Sequence, residues 1–317
     1  MKANKVAIIG AGHVGSHVGY ALAVQGIASD IVYLEIDEPK ARSQAMDITD
    51  AMSYLRTRTR VRAGNYDDAR DADLVVVAAG PLPDRSKGQN RMDTLKLTVD
   101  AMQSIVEGLR AIKYNGIILN ISNPADVITN FLQQKLNHPT HKILSTSTTL
   151  DSARLRRVLS EKLGVDPRSV GAYVLGEHGE SQFVAWSAAT IAGKPLADYI
   201  RENASRLGSI DLAEVASIAR NGGWTVMDGK GSTEFGICSA AAEVIRAVFW
   251  DERKVLPVSV LLRGQYGQEG VYASLPAVVG LDGVSEIINI PLNPEEQKLM
   301  AASCKAIKDN VALAMRL

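Results

Sequence analysis

The sequence of 317 residues is short of cysteine and carries no net charge. Its two cysteines, Cys238 and Cys304, lie far apart and form no CxxC pair, which argues against a disulfide framework or a zinc site. Basic and acidic residues number 35 each, so the basic excess typical of nucleic-acid-binding proteins is missing. No run of about 18 apolar residues occurs, so no transmembrane helix is predicted. These absences favour a cytoplasmic protein without nucleic-acid or membrane partners.

What is present is the composition of a globular protein, with 46% hydrophobic and 22% charged residues. This length accommodates one large domain or two ordinary ones, with a sizeable core. The apolar start, MKANKVAIIGAGHVGSHVG, is not interpreted as a signal peptide, because the run is short and lacks a small-residue cleavage site.

Short apolar runs alternate with helical patterns over the first half of the chain. This alternation predicts βαβ units and an α/β fold with a Rossmann doubly wound parallel sheet. The runs are almost continuously apolar, as expected of strands that are covered on both faces. The strand candidates are Val6–Ile9, Ile31–Glu35, a run around Val61, Leu74–Ala79, Ile117–Ile121 and Lys142–Leu144, and the helix candidates are His13–Gln25, Met92–Ile112 and Leu150–Leu163.

After about residue 148 the pattern changes to shorter strands and longer helices. We therefore predict a Rossmann domain over residues 1–147 and a mixed α/β domain over residues 148–317, packed together. The strand candidates in the second part are Val170–Leu175, Phe183–Ser187, Lys254–Leu262 and Val271–Val278, and the helix candidates are Asp211–Met227, Ser232–Trp250 and Pro294–Leu317.

The glycine motif GAGHVG follows the first strand and opens the first helix. Gly10 permits the tight turn, Gly12 lets the backbone approach a pyrophosphate, and Gly15 lets the helix pack closely on the strand. An acidic residue about 20 positions later should bind the ribose hydroxyls. Glu35 has this spacing and Asp37 is a rival. We favour Glu35, and with it NAD as the cofactor, because a carboxylate repels a 2′-phosphate.

Two further motifs carry groups suited to acid–base chemistry. His178 stands in LGEHGES, just past a strand, and a histidine can exchange a proton near neutral pH. Asp151 and Arg154 lie three residues apart in LDSARLRR, so they share one face of a helix. A carboxylate can orient a histidine, and an arginine can bind a substrate carboxylate through two hydrogen bonds. Alone, these residues also fit a structural histidine and a surface ion pair.

Two loops follow the fourth and fifth strands, where doubly wound sheets bind their ligands. The polar loop GPLPDRSKGQNRMD ends near Arg91 and is interpreted as a lid, with a surface loop as the alternative. Asn123 places an amide near the same crevice, unless it belongs to a plain turn. His138 and His141 flank a proline and are predicted to lie in solvent.

In their order and spacing these motifs resemble the L-lactate/malate dehydrogenase family over nearly the whole chain. The resemblance rests on GAGHVG, Glu35, the loop ending in Arg91, ISNPAD, LDSAR, GEHG and KGST. The strings ISNPADVIT, DPRSV, GEHGESQFVAWS and GGWTVMDGKG are most similar to the L-2-hydroxyisocaproate dehydrogenase branch from lactic acid bacteria.

The resemblance implies hydride transfer between NADH and a 2-oxo acid. It makes His178 the proton donor and acceptor, Asp151 the group that orients it, and Arg154 the group that binds the substrate carboxylate. Arg91 is expected to polarise the carbonyl. The resemblance also places Asn123 near the carbonyl and the cofactor, Thr233 in the substrate pocket, and His13, Val14, Ala79 and Gly80 with the glycines at the cofactor site.

The chain departs from the family pattern in the segment before LDSAR and in the lid. The usual glycine–threonine–glycine is replaced by Ser145–Thr146–Ser147. The lid is about two residues longer than usual, so the position that separates lactate from malate enzymes falls on Pro83 or on Arg85, depending on the direction of counting. We favour a monocarboxylic 2-oxo acid, with malate dehydrogenase as the alternative.

The resemblance also bears on partners. It suggests a homotetramer or a dimer. One member of the basic pair that binds fructose 1,6-bisphosphate in allosteric relatives is matched by Arg156, but the other position holds Gly171. Activation by that sugar phosphate is therefore not expected. Two hypotheses from other classes are an NAD-dependent glycosidase, which would need a metal site, and a non-catalytic NAD-binding protein.

Overall fold

A nine-stranded sheet runs through the centre of the computed structural model, which describes residues 4–81 and 92–317. In chain order the strands are β1 (Lys5–Ile9), β2 (Asp30–Leu34), β3 (Arg60–Ala63), β4 (Leu74–Val77), β5 (Ile117–Asn120), β6 (Ile143–Ser145), β7 (Val170–Gly171), β8 (Val174–Leu175), β9 (Phe183–Val184), β10 (Thr190–Ile191), β11 (Lys194–Pro195), β12 (Lys254–Arg263), β13 (Glu269–Gly280) and β14 (Gly283–Ile287). The helices are α1 (His13–Gln25), α2 (Glu38–Ala51), α3 (Tyr66–Ala69), α4 (Leu95–Ala111), α5 (Ala125–Leu136), α6 (Thr149–Leu163), α7 (Leu196–Glu202), α8 (Ala204–Leu207), α9 (Leu212–Lys230), α10 (Phe235–Phe249) and α11 (Pro294–Ala314).

Six strands of the large sheet are parallel and adopt the Rossmann order β3-β2-β1-β4-β5-β6. β1 pairs with both β2 and β4, so Val6 lies opposite Ile31 on one side and Leu74 on the other. All residues of β1 are buried, as the continuous apolar run predicts. The strand order reverses between β1 and β4, and ligands of such sheets bind in the crevice at that point.

The last strands of the chain extend the same sheet. β12 runs antiparallel to β6, with Ser259 opposite Ser145, and β13 and β14 follow as an antiparallel meander. The large apolar core therefore continues from the Rossmann strands to α11. A second, smaller core includes Leu155 of α6 and Val215 of α9. Periodicity did not indicate that the two parts of the chain share a sheet.

Local sequence signals set the ends of several elements. Gly26 ends α1 in the left-handed conformation, with φ of 65°. Asn293 and Glu296 form a capping box at the start of α11, and Pro294 occupies its first turn. None of the helices in the described ranges is long and apolar enough to cross a membrane.

Several expectations about local structure were wrong. The helix expected from Ser232 begins at Phe235, and the strand expected at Phe183–Ser187 ends at Val184. α4 begins at Leu95 rather than Met92, because the preceding residues form a turn. The single strand expected at 170–175 is two short strands, since β7 pairs with β10 and β8 with β9. His138 is buried rather than solvated: its Nε2 lies 2.9 Å from the Gly116 carbonyl oxygen, and its ring stacks on that of Tyr114.

Candidate active site

The glycine motif forms the turn between β1 and α1. Gly10 has φ of 103°, and a Cβ there would lie 2.5 Å from the Ala78 carbonyl oxygen. A Cβ on Gly15 would overlap the Gly10 carbonyl oxygen. By contrast, a Cβ on Gly12 would meet nothing nearer than Lys40 Nζ at 4.0 Å. The first and third glycines are thus required for packing, whereas the second borders open space.

That open space adjoins the N-terminus of α1, where Gly12 provides no side-chain cap. The first main-chain N–H groups of a helix lack internal partners and carry partial positive charge. They therefore suit a phosphate group. The cradle beside Gly12 and these N–H groups fit the pyrophosphate of a dinucleotide.

A groove of about 620 Å³ continues from the glycine turn along the carboxyl ends of the strands. Glu35 lines the groove, and its side chain is 13% exposed. Its Oε2 accepts from the Ala11 N–H at 2.8 Å, and its Oε1 from the Ile36 N–H at 3.0 Å. Asp37 instead caps α2 by accepting from the Lys40 N–H at 3.1 Å. Glu35 is thus the acidic residue that faces the groove.

The other residues predicted beside the cofactor lie around the same turn. Ala79 and Gly80 line the groove after β4. His13 is the first residue of α1, and its Nδ1 lies 3.9 Å from Glu234 Oε1. Val14 follows it and lines a separate, smaller cavity. The first turn of α1 therefore lies between the groove and this smaller cavity.

His178 and Arg154 meet at the carboxylate of Asp151. Asp151 Oδ2 lies 2.5 Å from His178 Nδ1, and Arg154 Nη1 donates to Asp151 Oδ1 at 2.9 Å. The side chains of His178 and Arg154 are each 12% exposed, and that of Asp151 is 2% exposed. This burial excludes the alternative of an ion pair on a solvated helix face. An ionised Asp151 stabilises positive charge on the imidazole and fixes the orientation of the ring.

The arginine is also held from its other side by α9. A Cβ on Gly223 would lie 3.3 Å from both terminal nitrogens of Arg154, so the guanidinium packs against the helix backbone. A guanidinium fixed in this way offers paired donors to a carboxylate.

A cavity of about 80 Å³ lies beside these groups. Asn123 and Thr233 line it together with His178 and Arg154. These two are the titratable side chains among its described lining residues. The remaining lining residues are Val14, Ile121, Ala125, Thr146, Ser147, Leu150, Met227 and Ile237.

One residue at this site was missed in the sequence. Asp126, in the first turn of α5, is 1% exposed, and its Oδ2 accepts from the His178 main-chain N–H at 2.7 Å. Burial raises the pKa of this carboxyl group. Asp126 lies in the ISNPAD motif, in which the sequence predicted Asn123 alone as a site residue. Its histidine partner lies far along the chain, so local spacing could not reveal the contact.

Arg91 lies outside the described residues, as do Pro83 and Arg85. Within residues 4–81 and 92–317, no group of three or more His, Cys, Asp or Glu side chains is arranged to hold a metal ion.

Two family models together match almost the whole chain. Residues 4–145 match the family model of the lactate/malate dehydrogenase NAD-binding domain, and residues 148–316 match that of the alpha/beta C-terminal domain. L-lactate dehydrogenase 3 of Bacillus cereus is 40% identical over 305 residues, covering 96% of each chain.

Two solved structures are similar over almost the full length. The minor L-lactate dehydrogenase of Enterococcus mundtii in its ligand-bound form is 35% identical, with a TM-score of 0.94 and 99% of each chain covered. The lactate dehydrogenase of Cryptosporidium parvum, complexed with lactic acid and nicotinamide adenine dinucleotide, is 27% identical, with a TM-score of 0.93 and coverage of 100% of this chain and 99% of that one. The chain belongs to the lactate/malate dehydrogenase family and is an NAD-dependent oxidoreductase that acts on 2-hydroxy acids.

Proposed function

We propose that this enzyme interconverts 2-oxo monocarboxylic acids and L-2-hydroxy acids, with pyruvate and 2-oxoisocaproate as candidate substrates. The observation that carries the proposal is the attachment of His178 and Arg154 to the two oxygens of Asp151, beside one cavity. This arrangement sets a proton donor next to a carboxylate-binding group, which is what a 2-oxo acid requires.

Each residue has a distinct role in the proposed reaction. NADH supplies the hydride when it is bound. Arg154 binds the substrate carboxylate and thereby orients the carbonyl carbon. His178 gives the proton from Nε2 to the carbonyl oxygen, because Nδ1 is held by Asp151. In the opposite direction His178 accepts the hydroxyl proton.

Four further residues complete the proposed site. Asn123 and Thr233, both on the cavity wall, are assigned to the carbonyl and to the substrate pocket. Arg91, through the family resemblance, is assigned to stabilise charge that develops on the carbonyl oxygen. Glu35 is assigned to the adenosine ribose hydroxyls of the cofactor, since it faces the groove.

The cavity composition favours a single substrate carboxylate. Arg154 is the one guanidinium among the described lining residues, and Leu150, Met227 and Ile237 offer apolar surface to a substrate side chain. A dicarboxylic acid needs a second cationic partner, because an unpaired buried carboxylate is costly. Arg85 is the residue that would supply it if the enzyme were a malate dehydrogenase.

The test is NADH oxidation with equal concentrations of pyruvate, 2-oxoisocaproate, phenylpyruvate and oxaloacetate. Preference for the larger apolar acids supports the hydroxyisocaproate assignment, and preference for pyruvate supports a lactate dehydrogenase. Preference for oxaloacetate contradicts the monocarboxylate proposal. A His178→Gln variant controls for background oxidation. A wild-type enzyme that binds NADH but turns over none of the acids would refute the proposal.

We also propose self-association, as a tetramer or dimer, and a cytoplasmic location, which free and buried Cys238 and Cys304 support. We propose that fructose 1,6-bisphosphate does not strongly activate the enzyme, because Gly171 lacks the side chain needed beside Arg156. Sedimentation tests the assembly. A dose series of fructose 1,6-bisphosphate tests the proposal about activation, and strong activation would contradict it.

A further inference from the structure

We propose that Ser303 of α11 is a positioning residue for proton transfer by His178. It closes a circuit of hydrogen bonds with Glu177 and Ser181, which lie in the same loop as the histidine. The proposal deepens the function proposed above and rests on it. Asp151 holds the imidazole ring, whereas the circuit ties the loop that carries this ring to α11.

Three hydrogen bonds join the members of the circuit. The Glu177 N–H donates to Ser303 Oγ at 2.8 Å, and Ser181 Oγ donates to Glu177 Oε2 at 2.6 Å. The two serine hydroxyl oxygens lie 3.0 Å apart. A carboxylate only accepts, so the hydroxyl proton of Ser181 is directed to Glu177. The hydroxyl proton of Ser303 is therefore the one directed to Ser181, and each hydroxyl group donates once and accepts once.

Two glycines of the loop leave the space that the circuit occupies. Gly176 has φ of 84°, and a Cβ there would overlap Ser303 Oγ. A Cβ on Gly179 would lie 2.7 Å from the carboxyl carbon of Glu177. A side chain at either position would thus displace a member of the circuit. The two glycines of LGEHGES are accounted for by the close approach of Ser303 and of the Glu177 side chain to the loop.

The loop needs an anchor because the strands that flank it are short. β8 and β9 contain two residues each and pair with each other through two residue pairs. Ser303 is fully buried in α11, a helix of 21 residues that packs into the large core, so it gives the loop a rigid support. With the loop held by Ser303 and Nδ1 of His178 held by Asp151, Nε2 keeps its position at the cavity. Catalytic rates are sensitive to displacements of about 1 Å.

A closed circuit has a signature that separate contacts lack. Hydrogen bonds in a chain polarise one another, and each hydroxyl group of the circuit depends on the other for a partner. Removal of either hydroxyl group opens the same circuit. The effects of changes at Ser303 and Ser181 on the rate should therefore not multiply, as those of independent sites would.

The test compares Ser303→Ala, Ser181→Ala and the double variant. In each single variant we expect kcat and the single-turnover rate of NADH oxidation to fall by about threefold to tenfold. KM for pyruvate or 2-oxoisocaproate and the affinity for NADH should stay within about twofold, because Arg154 and the cofactor groove are unchanged. The double variant should be no slower than the slower single variant. Ser181→Thr keeps the hydroxyl group and should retain the wild-type rate.

Ser160→Ala is the matched control. Ser160 is a buried helix serine that donates to the Arg157 carbonyl oxygen at 2.7 Å within α6, so its loss should leave kcat unchanged. A wild-type kcat in Ser303→Ala would reject the positioning role alone. Losses that multiply in the double variant, or an equal loss in Ser160→Ala, would also reject it. Absence of turnover in the unmodified enzyme would instead reject the proposed function and this role with it.

Discussion

Arg154 donates to Asp151 at 2.9 Å from the next turn of the same helix. Asp151 is therefore shared between this guanidinium and the imidazole of His178, which it contacts through its other oxygen. The group proposed to bind the substrate and the group proposed to move the proton have a common anchor. Changes at Asp151 should consequently disturb both functions, whereas changes at Arg154 should mainly affect binding.

Asp151→Asn should lower kcat by about a hundredfold or more, because a neutral amide cannot stabilise the imidazolium. Its NH2 group is also a donor at a position where the carboxylate has an acceptor. NADH affinity should stay within a factor of about two or three. The measurement is steady-state reduction of pyruvate and 2-oxoisocaproate, with NADH binding followed by fluorescence. A kcat near that of the wild type would show that Asp151 has no role in catalysis.

Arg154→Lys should raise KM for the 2-oxo acid by about tenfold to a hundredfold, since an ammonium cannot form two parallel hydrogen bonds to a carboxylate. Arg157→Lys is the control on the same helix. Arg157 is about half exposed and pairs with Glu161 one turn on, so its KM should not change. Equal effects in the two variants would argue against the carboxylate-binding role.

Glu35→Gln should relax cofactor selectivity. The ratio of kcat/KM with NADPH to that with NADH should rise by about tenfold, because the neutral amide no longer repels a 2′-phosphate, while its oxygen keeps one of the two main-chain contacts. Asp37→Asn removes a nearby charge and preserves the cap of α2, so its ratio should stay constant. If only Asp37→Asn changed this ratio, Asp37 rather than Glu35 would be the residue that determines cofactor selectivity.

Gly15→Ala should weaken NADH binding and destabilise the fold by about 1–3 kcal/mol, because the added methyl group overlaps the Gly10 carbonyl. Gly229→Ala in α9 meets nothing within 4 Å and should stabilise the helix by up to about 1 kcal/mol. Denaturant unfolding with and without NADH measures both effects. Similar stability of the two variants would contradict the packing argument.

His138 should make the stability depend on pH. Burial lowers the pKa of its imidazole in the folded state, so the unfolded chain binds the proton more readily. Stability is therefore lost as the pH falls through the unfolded value of about 6.5. Melting temperatures between pH 5.5 and 7.5 should fall less in His138→Gln than in the wild type. His141→Gln, at an exposed neighbour, should follow the wild type.

The parts of this molecule that were predictable depend on short-range patterns. α1 has the bounds expected from helical spacing and Gly26. The parallel sheet followed from apolar runs, and the Glu35 position followed from its distance to the glycine motif. Each of these signals lies within a few dozen residues of the feature that it specifies.

The unpredicted parts depend on distant contacts. Nothing in the periodicity of β12 indicates that it pairs with β6. Asp126 resembles an ordinary first-turn acidic residue of a helix, and only the fold shows that it contacts His178. His138 looked like a loop residue because its ring partner, Tyr114, belongs to another segment. Tertiary packing decides such positions, so local sequence could not.

The pairing of β12 with β6 also has a consequence for biosynthesis. During translation, β6 leaves the ribosome long before β12. Until β12 pairs with it, β6 is an edge strand with unpaired main-chain donors and acceptors. Ser145 and Ser147, at the end of this edge, precede the helix that carries Asp151. The neighbourhood of Asp151 thus reaches its final form only when most of the chain has left the ribosome.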